Sequence, residues 1–305
     1  MRVSKPSLVI TGVSGFVGRH LAERASNLGF RVIGLDNSEY YDGISNIEFY
    51  KIDISKDQFS ELIPQGAVVV HLASISTDGA CKENPQLAID VNYSGTLNII
   101  KNANLANANH FIFASSEWVY PEKPYLMNQV ETDKLEIENL NSFYAISKLV
   151  GETLVRTQSK IPYTNLRFGI VYGPRTKPGS SVESLALKIY NDEEISVGSN
   201  LTSRRFIYIE DLISGIIACL NLSEEFIVNG PLNLAGNALV SLEDIFLTTN
   251  SLLNKKSVMY DGNKLPSIRN PISAKAEQLL NWRPEISLES GIKNCLKVMT
   301  HTRSK

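Results

Sequence analysis

A tyrosine and a lysine stand four residues apart in the stretch "FYAISKLVGE", which contains Tyr144 and Lys148. On a helix this spacing places both side chains on one face, one turn apart. A phenol with a pKa of about 10 is a poor base at neutral pH. Because a nearby ammonium favours the phenolate, we expect Lys148 to lower the pKa of Tyr144. The pair is typical of proton transfer at an alcohol, although a boundary tyrosine beside a solvated lysine has the same spacing.

Three glycines at spacing three follow an apolar run in "ITGVSGFVGRHL". Such a turn, between a strand and a helix, lets backbone N–H groups approach a pyrophosphate. Asp36 ends the next apolar run, where a carboxylate would accept hydrogen bonds from an adenosine ribose and repel a 2′-phosphate. The pattern predicts NAD rather than NADP, with a ligand-free packing turn as the alternative. The predicted cofactor residues here are Gly12, Gly15, Phe16, Val17, Gly18, Asp36 and Asn37. Lys148 is also expected to bind the nicotinamide ribose, and the positive nicotinamide of NAD⁺ is expected to add to its effect on the pKa of Tyr144.

Short apolar runs alternate with helical patterns through the first half of the chain. Buried strands are predicted at 8–11, 31–36, 67–73, 110–116 and 163–173, a strand nearer a sheet edge at 47–53, and helices at 16–29, 84–108 and 142–160. This alternation predicts βαβ units in an α/β fold, a doubly wound parallel sheet of the Rossmann type.

The order of elements loosens after about residue 173, where prolines and a glycine mark a loop. Helices are predicted near 181–191, 210–222, 241–253, 273–281 and 287–299, and a strand near 204–209. We therefore predict a cofactor-binding domain over 1–173 and a smaller α/β substrate lobe over 174–305, some segments of which return to the first domain.

Composition excludes several classes of function. The 305 residues carry 30 basic and 32 acidic side chains, and a net charge of −2 argues against binding nucleic acid or an anionic membrane. No apolar run is long enough for a membrane span, and the N-terminal run is too short for a signal peptide. Three distant cysteines without C-x-x-C spacing predict free thiols in the reducing cytoplasm. Four histidines without paired spacing predict no metal site.

The glycine spacing T-G-x-x-G-F-x-G and the motifs that follow it resemble the extended short-chain dehydrogenase/reductase family, in particular its UDP-glucose 4-epimerase-like members. The resemblance covers nearly the whole chain and extends to "VVHLAS", "VNYSGTLNII" and "LNWRPEISLESGI". It implies that Asp53, Ile54, Leu72, Ala73 and Asn92 bind the cofactor. It also implies a homodimer formed through the helices near 85–108 and 142–160.

A third catalytic partner is expected from the end of the fifth strand, since ligands bind beyond the carboxyl ends of parallel strands. "FIFASSEWVYP" supplies Ser115 and Ser116 there. Counting back from Val119 and Tyr120, which resemble the family's V-Y-G, Ser116 takes the catalytic Ser/Thr position. A plain strand-end hydroxyl is the alternative interpretation.

Glu117 stands where the family's 4,6-dehydratases carry an Asp general acid, but the following residue is Trp118 instead of their Glu base. Half of that acid–base pair is therefore missing. A direct role of Glu117 in proton transfer and a role in a polar network both stay open.

Substrate phosphates require cationic partners. "VYGPR" supplies Arg175, the family's R-x-F/Y-I segment resembles "SRRFIYIEDL" with Arg204 in the phosphate-contacting place, and Arg269 is a looser candidate. Arg205 is expected to face solvent or to pair with Glu210 or Asp211. Ile170 replaces an Asn of many relatives, which leaves the nucleotide of a UDP- or dTDP-linked sugar open.

Three functions are compatible with these motifs. The first is an NAD-dependent nucleotide-sugar epimerase, in which Tyr144 takes a proton from a sugar hydroxyl while hydride leaves for NAD. The second is another catalyst on the same scaffold: a dehydratase, or a sugar, aldehyde or hydroxysteroid-type reductase or dehydrogenase. The third is a non-catalytic dinucleotide sensor, against which the intact Tyr–Lys pair argues.

Overall fold

The computed structural model describes residues 5–38, 46–123 and 126–301. Its strands are β1 (Leu8–Thr11), β2 (Val32–Asp36), β3 (Ile47–Lys51), β4 (Val68–His71), β5 (His110–Ser116), β6 (Tyr163–Phe168), β7 (Ile170–Tyr172), β8 (Ile195–Val197), β9 (Ser203–Arg204), β10 (Phe206–Tyr208), β11 (Gly230–Leu234), β12 (Val240–Ser241) and β13 (Met259–Asp261). Its α-helices are α1 (Phe16–Asn27), α2 (Asp78–Glu83), α3 (Pro85–Ile89), α4 (Thr96–Leu105), α5 (Phe143–Gln158), α6 (Ser181–Tyr190), α7 (Ile209–Leu220), α8 (Leu242–Leu253), α9 (Ala274–Leu280) and α10 (Leu288–His301).

Seven strands form one parallel sheet in the order β11-β6-β5-β4-β1-β2-β3. The predicted doubly wound fold is confirmed, with β3 at one edge. The strand order reverses between β1 and β4, and this switch point is where such sheets bind ligands. Two apolar cores cover the two faces of the sheet, which explains why β1 and β4 are buried throughout.

The predicted strand over 163–173 is wrong in one respect, because it divides at Gly169 into β6 and β7. A β-carbon at Gly169 would collide with the carbonyl oxygen of Arg205, so the backbones of the two regions touch there. β6 stays in the large sheet, whereas β7 pairs with β10. The predicted strand over 204–209 likewise consists of β9 and β10.

The predicted helix over 84–108 contains a π-helical turn at Asp90–Gly95 between α3 and α4. Its start agrees with the sequence, since Asn84 caps α3 by accepting the N–H of Leu87 and Pro85 occupies the first turn. Such π-helical turns occur often at functional sites, and this one carries Asn92.

The second half of the chain contributes to both regions. β11 extends the large sheet next to β6, while α7 packs against α1. α6, α8 and α10 pack on one another beyond the sheet. The loop between β7 and α6 lies at the carboxyl end of the sheet. The strand β9, which pairs with β12, lies there as well, since its Arg204 contacts Glu117 just after β5.

Candidate active site

A cleft of about 690 Å³ opens at the carboxyl ends of β1, β2, β4 and β5. It is lined by most of the residues predicted to bind the cofactor: Gly12, Gly15, Phe16, Val17, Gly18, Asp36, Asn37, Asp53, Ile54, Leu72 and Ala73. Tyr144, Lys148 and Ser116 line the same cleft. The structure therefore brings the glycine turn and the predicted catalytic side chains into one space.

The glycine turn is shaped for an anion. Gly12 has a φ of +70°, and a β-carbon there would lie 2.7 Å from the backbone nitrogen of Ala73. A β-carbon at Gly18 would collide with the Gly12 carbonyl oxygen. Gly15 caps α1 without a side-chain hydrogen bond, and the first turn of α1 has no acidic residue. The first N–H groups of α1 and its positive dipole end can therefore face a phosphate, so the chain fits the pyrophosphate of NAD.

Asp36 lies at the carboxyl end of β2 and accepts backbone N–H groups from Ser14 (3.0 Å) and Ser38 (3.0 Å), one on each carboxylate oxygen. These bonds orient the carboxylate at the cleft wall and leave lone pairs for further donors. The arrangement suits the two hydroxyls of a ribose.

Asp36→Ala is expected to weaken NAD⁺ binding by about tenfold or more, because the hydrogen bonds to the ribose are lost. The ratio of the NAD⁺ and NADP⁺ affinities should also fall, because the carboxylate no longer repels a 2′-phosphate. The measurement is the Kd of each dinucleotide by calorimetry. Glu23→Ala, on the exposed side of α1, is the control for the loss of one negative charge. An unchanged cofactor preference would contradict the role given to Asp36.

Asn92 lies behind the cleft wall instead of lining it. Its amide accepts the N–H of Ile75 (2.8 Å), donates to the Ile75 carbonyl (3.1 Å) and donates to Ser147 (3.1 Å). Since Ile75 lines the cleft and Ser147 precedes Lys148, the side chain ties the loop after β4 to α5.

Ser142 begins α5 by accepting the N–H of Ala145 (3.1 Å), and the helix then presents Tyr144 and Lys148 to the cleft. The Ser116 hydroxyl, at the end of β5, accepts the N–H of Trp118 (3.3 Å) and lines the cleft together with Tyr144. Lys148 is buried and donates to the Ala114 carbonyl (2.9 Å), and its Nζ lies 5.7 Å from the centre of the Tyr144 ring.

The chain's own residues do not lower the pKa of Tyr144, and the prediction that Lys148 and NAD⁺ lower it together stays a prediction. Burial raises the pKa of Tyr144 to about 12, and the neighbouring Ser116 hydroxyl opposes this only in part. Burial also lowers the pKa of Lys148 to about 8. At neutral pH the phenol therefore holds its proton, and a positive charge beyond the chain's own is needed to release it.

His71 belongs to a hydrogen-bonded chain that the sequence analysis did not find. Its Nδ1 contacts the hydroxyl of Thr11 (2.7 Å) and its Nε2 that of Thr96 (3.1 Å), and Thr96 in turn donates to the Asn92 carbonyl. Burial lowers the pKa of His71 to about 3, so the ring is neutral. This chain joins the end of β1 to the π-helical turn.

Glu117 is fully buried and does not line the cofactor cleft. Its Oε1 lies 3.2 Å from Nε of Arg204. Burial raises the pKa of Glu117 to about 7, against the opposing charges of Arg204 and Arg269. Both Glu117 oxygens are buried without a hydrogen-bond partner among the described residues, so Arg204 is an ion-pair partner only.

Arg204 and Arg269 lie together near Glu117 and Glu122. Besides its contact with Glu117, Arg204 donates hydrogen bonds to the carbonyl of Ser267 (2.6 Å) and to the hydroxyl of Ser267 (2.6 Å). Arg269 donates to the Tyr120 carbonyl (3.0 Å) and lies 3.3 Å from the Glu122 carboxylate. Its Cζ is 4.9 Å from the centre of a Trp118 ring, and its buried Nη1 has no hydrogen-bond partner among the described residues.

Arg205 differs from its prediction, and Arg175 lies apart from the other two predicted phosphate-binding arginines. Arg205 does not pair with Glu210 or Asp211: it binds Asn270 (2.7 Å) and the carbonyls of Gly236 and Asn237. Arg175 is separate from Arg204 and Arg269, since it lines the cofactor cleft and stacks on Phe16.

Cys81, Cys219 and Cys295 are free and buried. Across residues 5–38, 46–123 and 126–301, no three histidine, cysteine or acidic side chains gather in a way that could hold a metal ion. Nor does a helix in these ranges combine the length and the apolar character that crossing a bilayer requires.

Known proteins resemble this chain along most of its length. Residues 8–235 match the model of the family described as "NAD dependent epimerase/dehydratase family". A UDP-glucuronate 4-epimerase of Thermodesulfobacterium geofontis is 30% identical over 310 residues, with 93% of each chain covered. A UDP-N-acetyl-alpha-D-glucosaminuronate decarboxylase of Bacillus cytotoxicus is 28% identical, with 96% of this chain and 97% of the relative covered.

The fold is also found in a crystal structure of a UDP-glucose 4-epimerase with UDP-glucose from Thermotoga maritima. The TM-score is 0.83 at 24% identity, with 97% of this chain and 99% of that chain covered. On the family match and the relatives, the chain is a member of the NAD dependent epimerase/dehydratase family, an enzyme whose cofactor is NAD.

Proposed function

We propose that this chain is an NAD-dependent nucleotide-sugar epimerase that oxidises a sugar hydroxyl transiently, with Tyr144 as acid and base. The observation that carries the proposal is the common cleft in which Tyr144, Lys148 and Ser116 face the glycine turn and Asp36. Relatives named as epimerases of UDP-sugars support the choice of substrate class. The region up to residue 173 holds the cofactor, and 174–305 forms the substrate lobe, with β11 returning to the sheet.

Bound NAD⁺ supplies a hydride acceptor and a positive charge that favours a phenolate beside it. Tyr144 then takes the proton of the sugar hydroxyl and later returns it to the same oxygen. Ser116 lines the cleft with Tyr144, and its hydroxyl donates a hydrogen bond to the same sugar oxygen. Lys148 places a buried ammonium at the floor of the cleft, fixed by the Ala114 carbonyl. If the keto sugar rotates in the site before the hydride returns, the hydride reaches its opposite face. The configuration of the oxidised carbon is then inverted.

The experiment that tests this function is a panel of UDP- and dTDP-linked sugars incubated with the purified protein. An epimerase converts a sugar into its diastereomer of equal mass without net change in NAD absorbance at 340 nm. A dehydratase gives a product lighter by one water, and a reductase or dehydrogenase changes the absorbance. Product mass, NMR stereochemistry and cofactor absorbance thus separate the candidates.

Dehydration is the second candidate, because Glu117 is a buried carboxyl beside Ser116. Glu117→Gln decides between the two. For an epimerase we expect turnover within about threefold of the parent enzyme, since Tyr144 alone moves the proton. Loss of a general acid would instead lower turnover by about 10² or more. The readout is the initial rate on the best sugar of the panel, and a hundredfold loss would contradict epimerisation by Tyr144 alone.

The same variant has an expected effect on stability. Burial raises the pKa of Glu117 from an ordinary 4.5 to about 7, so between these values the folded protein binds more protons than the unfolded chain. Stability from this group is therefore full below pH 4.5 and is lost as the pH rises through 7. Relative to the parent, the free energy of unfolding of Glu117→Gln should rise by about 3 kcal/mol as the pH increases from 4.5 to 8. Urea unfolding at several pH values measures this difference. A difference that is flat with pH would contradict the raised pKa.

We also propose a homodimer in the cytoplasm. The outer faces of α4 and α5 carry partly exposed apolar side chains, including Leu97, Leu149 and Val150, which suit an interface between helices. The free, buried cysteines suit a reducing compartment.

A further inference from the structure

Arg175 contacts both the Phe16 ring and the loop that follows β7, and it lines the cofactor cleft. Its Cζ lies 4.0 Å from the centre of the Phe16 ring. A β-carbon at Gly179 would collide with Nη1 and Cζ of Arg175, so the backbone of the loop lies directly against the guanidinium. The guanidinium plane is thereby fixed between α1 and the loop that follows β7.

Glu183 pins this loop. Its Oε1 accepts Nε of Arg175 (2.8 Å) and the N–H of Gly173 (3.0 Å). Its Oε2 accepts the N–H groups of Gly179 (2.6 Å) and Ser180 (2.7 Å). Because four donors share this fully buried carboxylate, the loop keeps its course without relying on Arg175 alone.

The guanidinium retains donors for a ligand. Arg175 uses Nε for Glu183 and Nη2 for the Val171 carbonyl (3.2 Å), while no hydrogen bond of Nη1 is seen within the described residues. Its side chain is 23% exposed, and the residue lines the cleft together with Gly12 and Gly15. A planar guanidinium with an accessible edge is the group best suited to a phosphate.

The position of Arg175 indicates which phosphate its guanidinium would bind. Phe16, on which it stacks, is the first residue of α1, whose uncapped N-terminus faces the cleft. Arg204 and Arg269 lie instead around Glu117 and Glu122, outside the lining of this cleft. We propose that Arg175 binds the pyrophosphate of NAD from the side opposite the glycine turn, and that it does not bind the phosphates of the sugar substrate. The loop over 173–180 thus contributes to the cofactor site from the second half of the chain.

Calorimetry with four probes tests this assignment on Arg175→Met, which keeps a side chain over Phe16 but removes the donors. We expect NAD⁺ and ADP to bind about 10- to 100-fold more weakly, while adenosine, which lacks phosphate, and UDP bind within about twofold of the parent. The matched control is Arg24→Met, which removes an exposed arginine near the other end of α1 and should leave all four affinities unchanged. Unchanged NAD⁺ and ADP affinities would overturn the proposal, and so would a selective loss of UDP binding.

Gly179→Ala provides a second test that leaves the charge intact. Its added methyl group displaces the guanidinium, so NAD⁺ and ADP should again weaken by about tenfold with adenosine unaffected. Normal ADP binding in this variant would contradict the proposal that the guanidinium binds the pyrophosphate from its observed position. The NAD⁺, ADP and adenosine measurements do not depend on the sugar substrate, so a failure of the proposed epimerase activity would not alter them.

Discussion

Tyr144→Phe is expected to lower the turnover of the best nucleotide sugar by about 10² to 10⁴ while NAD stays bound. The substitution removes only the hydroxyl that exchanges a proton with the substrate. The ring still meets the Trp118 ring edge-on at 6.0 Å, and the Ser142 cap still begins α5. The fold and the glycine turn are therefore preserved, and the loss should fall on kcat with little change in the Kd for NAD⁺.

The measurement is the rate of product formation, together with the absorbance of cofactor released on denaturing the purified protein. Tyr93→Phe is the matched control, since Tyr93 packs against Phe143 at 6.2 Å and is not part of the cleft lining. It should behave like the parent enzyme. Normal turnover of Tyr144→Phe would remove the chemical basis of the proposed function.

Local patterns predicted the elements that carry the site. The strand at 110–116 has the bounds of β5, and the glycine turn lies between β1 and α1 as expected. Tyr144 and Lys148 share one helix face because spacing alone determines it. In each case the relevant physics acts within a few residues along the chain.

Partners that come from distant segments could not be predicted. Arg175 and Arg204 both stand in phosphate-binding motifs, but Arg175 lies on Phe16 and Arg204 on Glu117. The pKa of Tyr144 is likewise decided by burial, which depends on every element around it. Spacing measures neither the depth of a side chain nor the neighbours that it meets after folding.

One buried ion pair carried a signal that could have been found in the sequence. Arg167 places a charge in the buried strand β6, and Glu152 follows Lys148 by one helical turn on α5. A charge in a strand covered on both faces requires a buried partner. Glu152 is that partner, and its Oε1 also accepts the hydroxyl of Ser115 (2.5 Å), the neighbour of Ser116.

Arg167→Met is expected to destabilise the protein by about 3 to 5 kcal/mol, because it leaves the Glu152 carboxylate buried without its cation. Arg167 is 4% exposed and binds both Glu152 oxygens, at 2.9 and 2.8 Å, as well as the Tyr120 hydroxyl at 2.9 Å. Urea unfolding measures the loss. Arg31→Met is the matched control, since Arg31 binds both oxygens of Glu48, at 2.6 and 2.9 Å, on the exposed surface.

The control should cost far less, because water screens an exposed ion pair, although both arginines bind both oxygens of their carboxylate. The two pairs differ in burial and in the Tyr120 hydroxyl that Arg167 also binds. Burial has the larger effect, because water solvates Glu48 once its partner is gone, whereas Glu152 stays buried. Replacing Glu152 by Leu in addition to Arg167→Met should recover part of the loss, since no uncompensated charge then remains. Equal losses for Arg167→Met and Arg31→Met would show that hydrogen-bond geometry, and not the cost of a lone buried carboxylate, controls the stability of the strand end that carries Ser116.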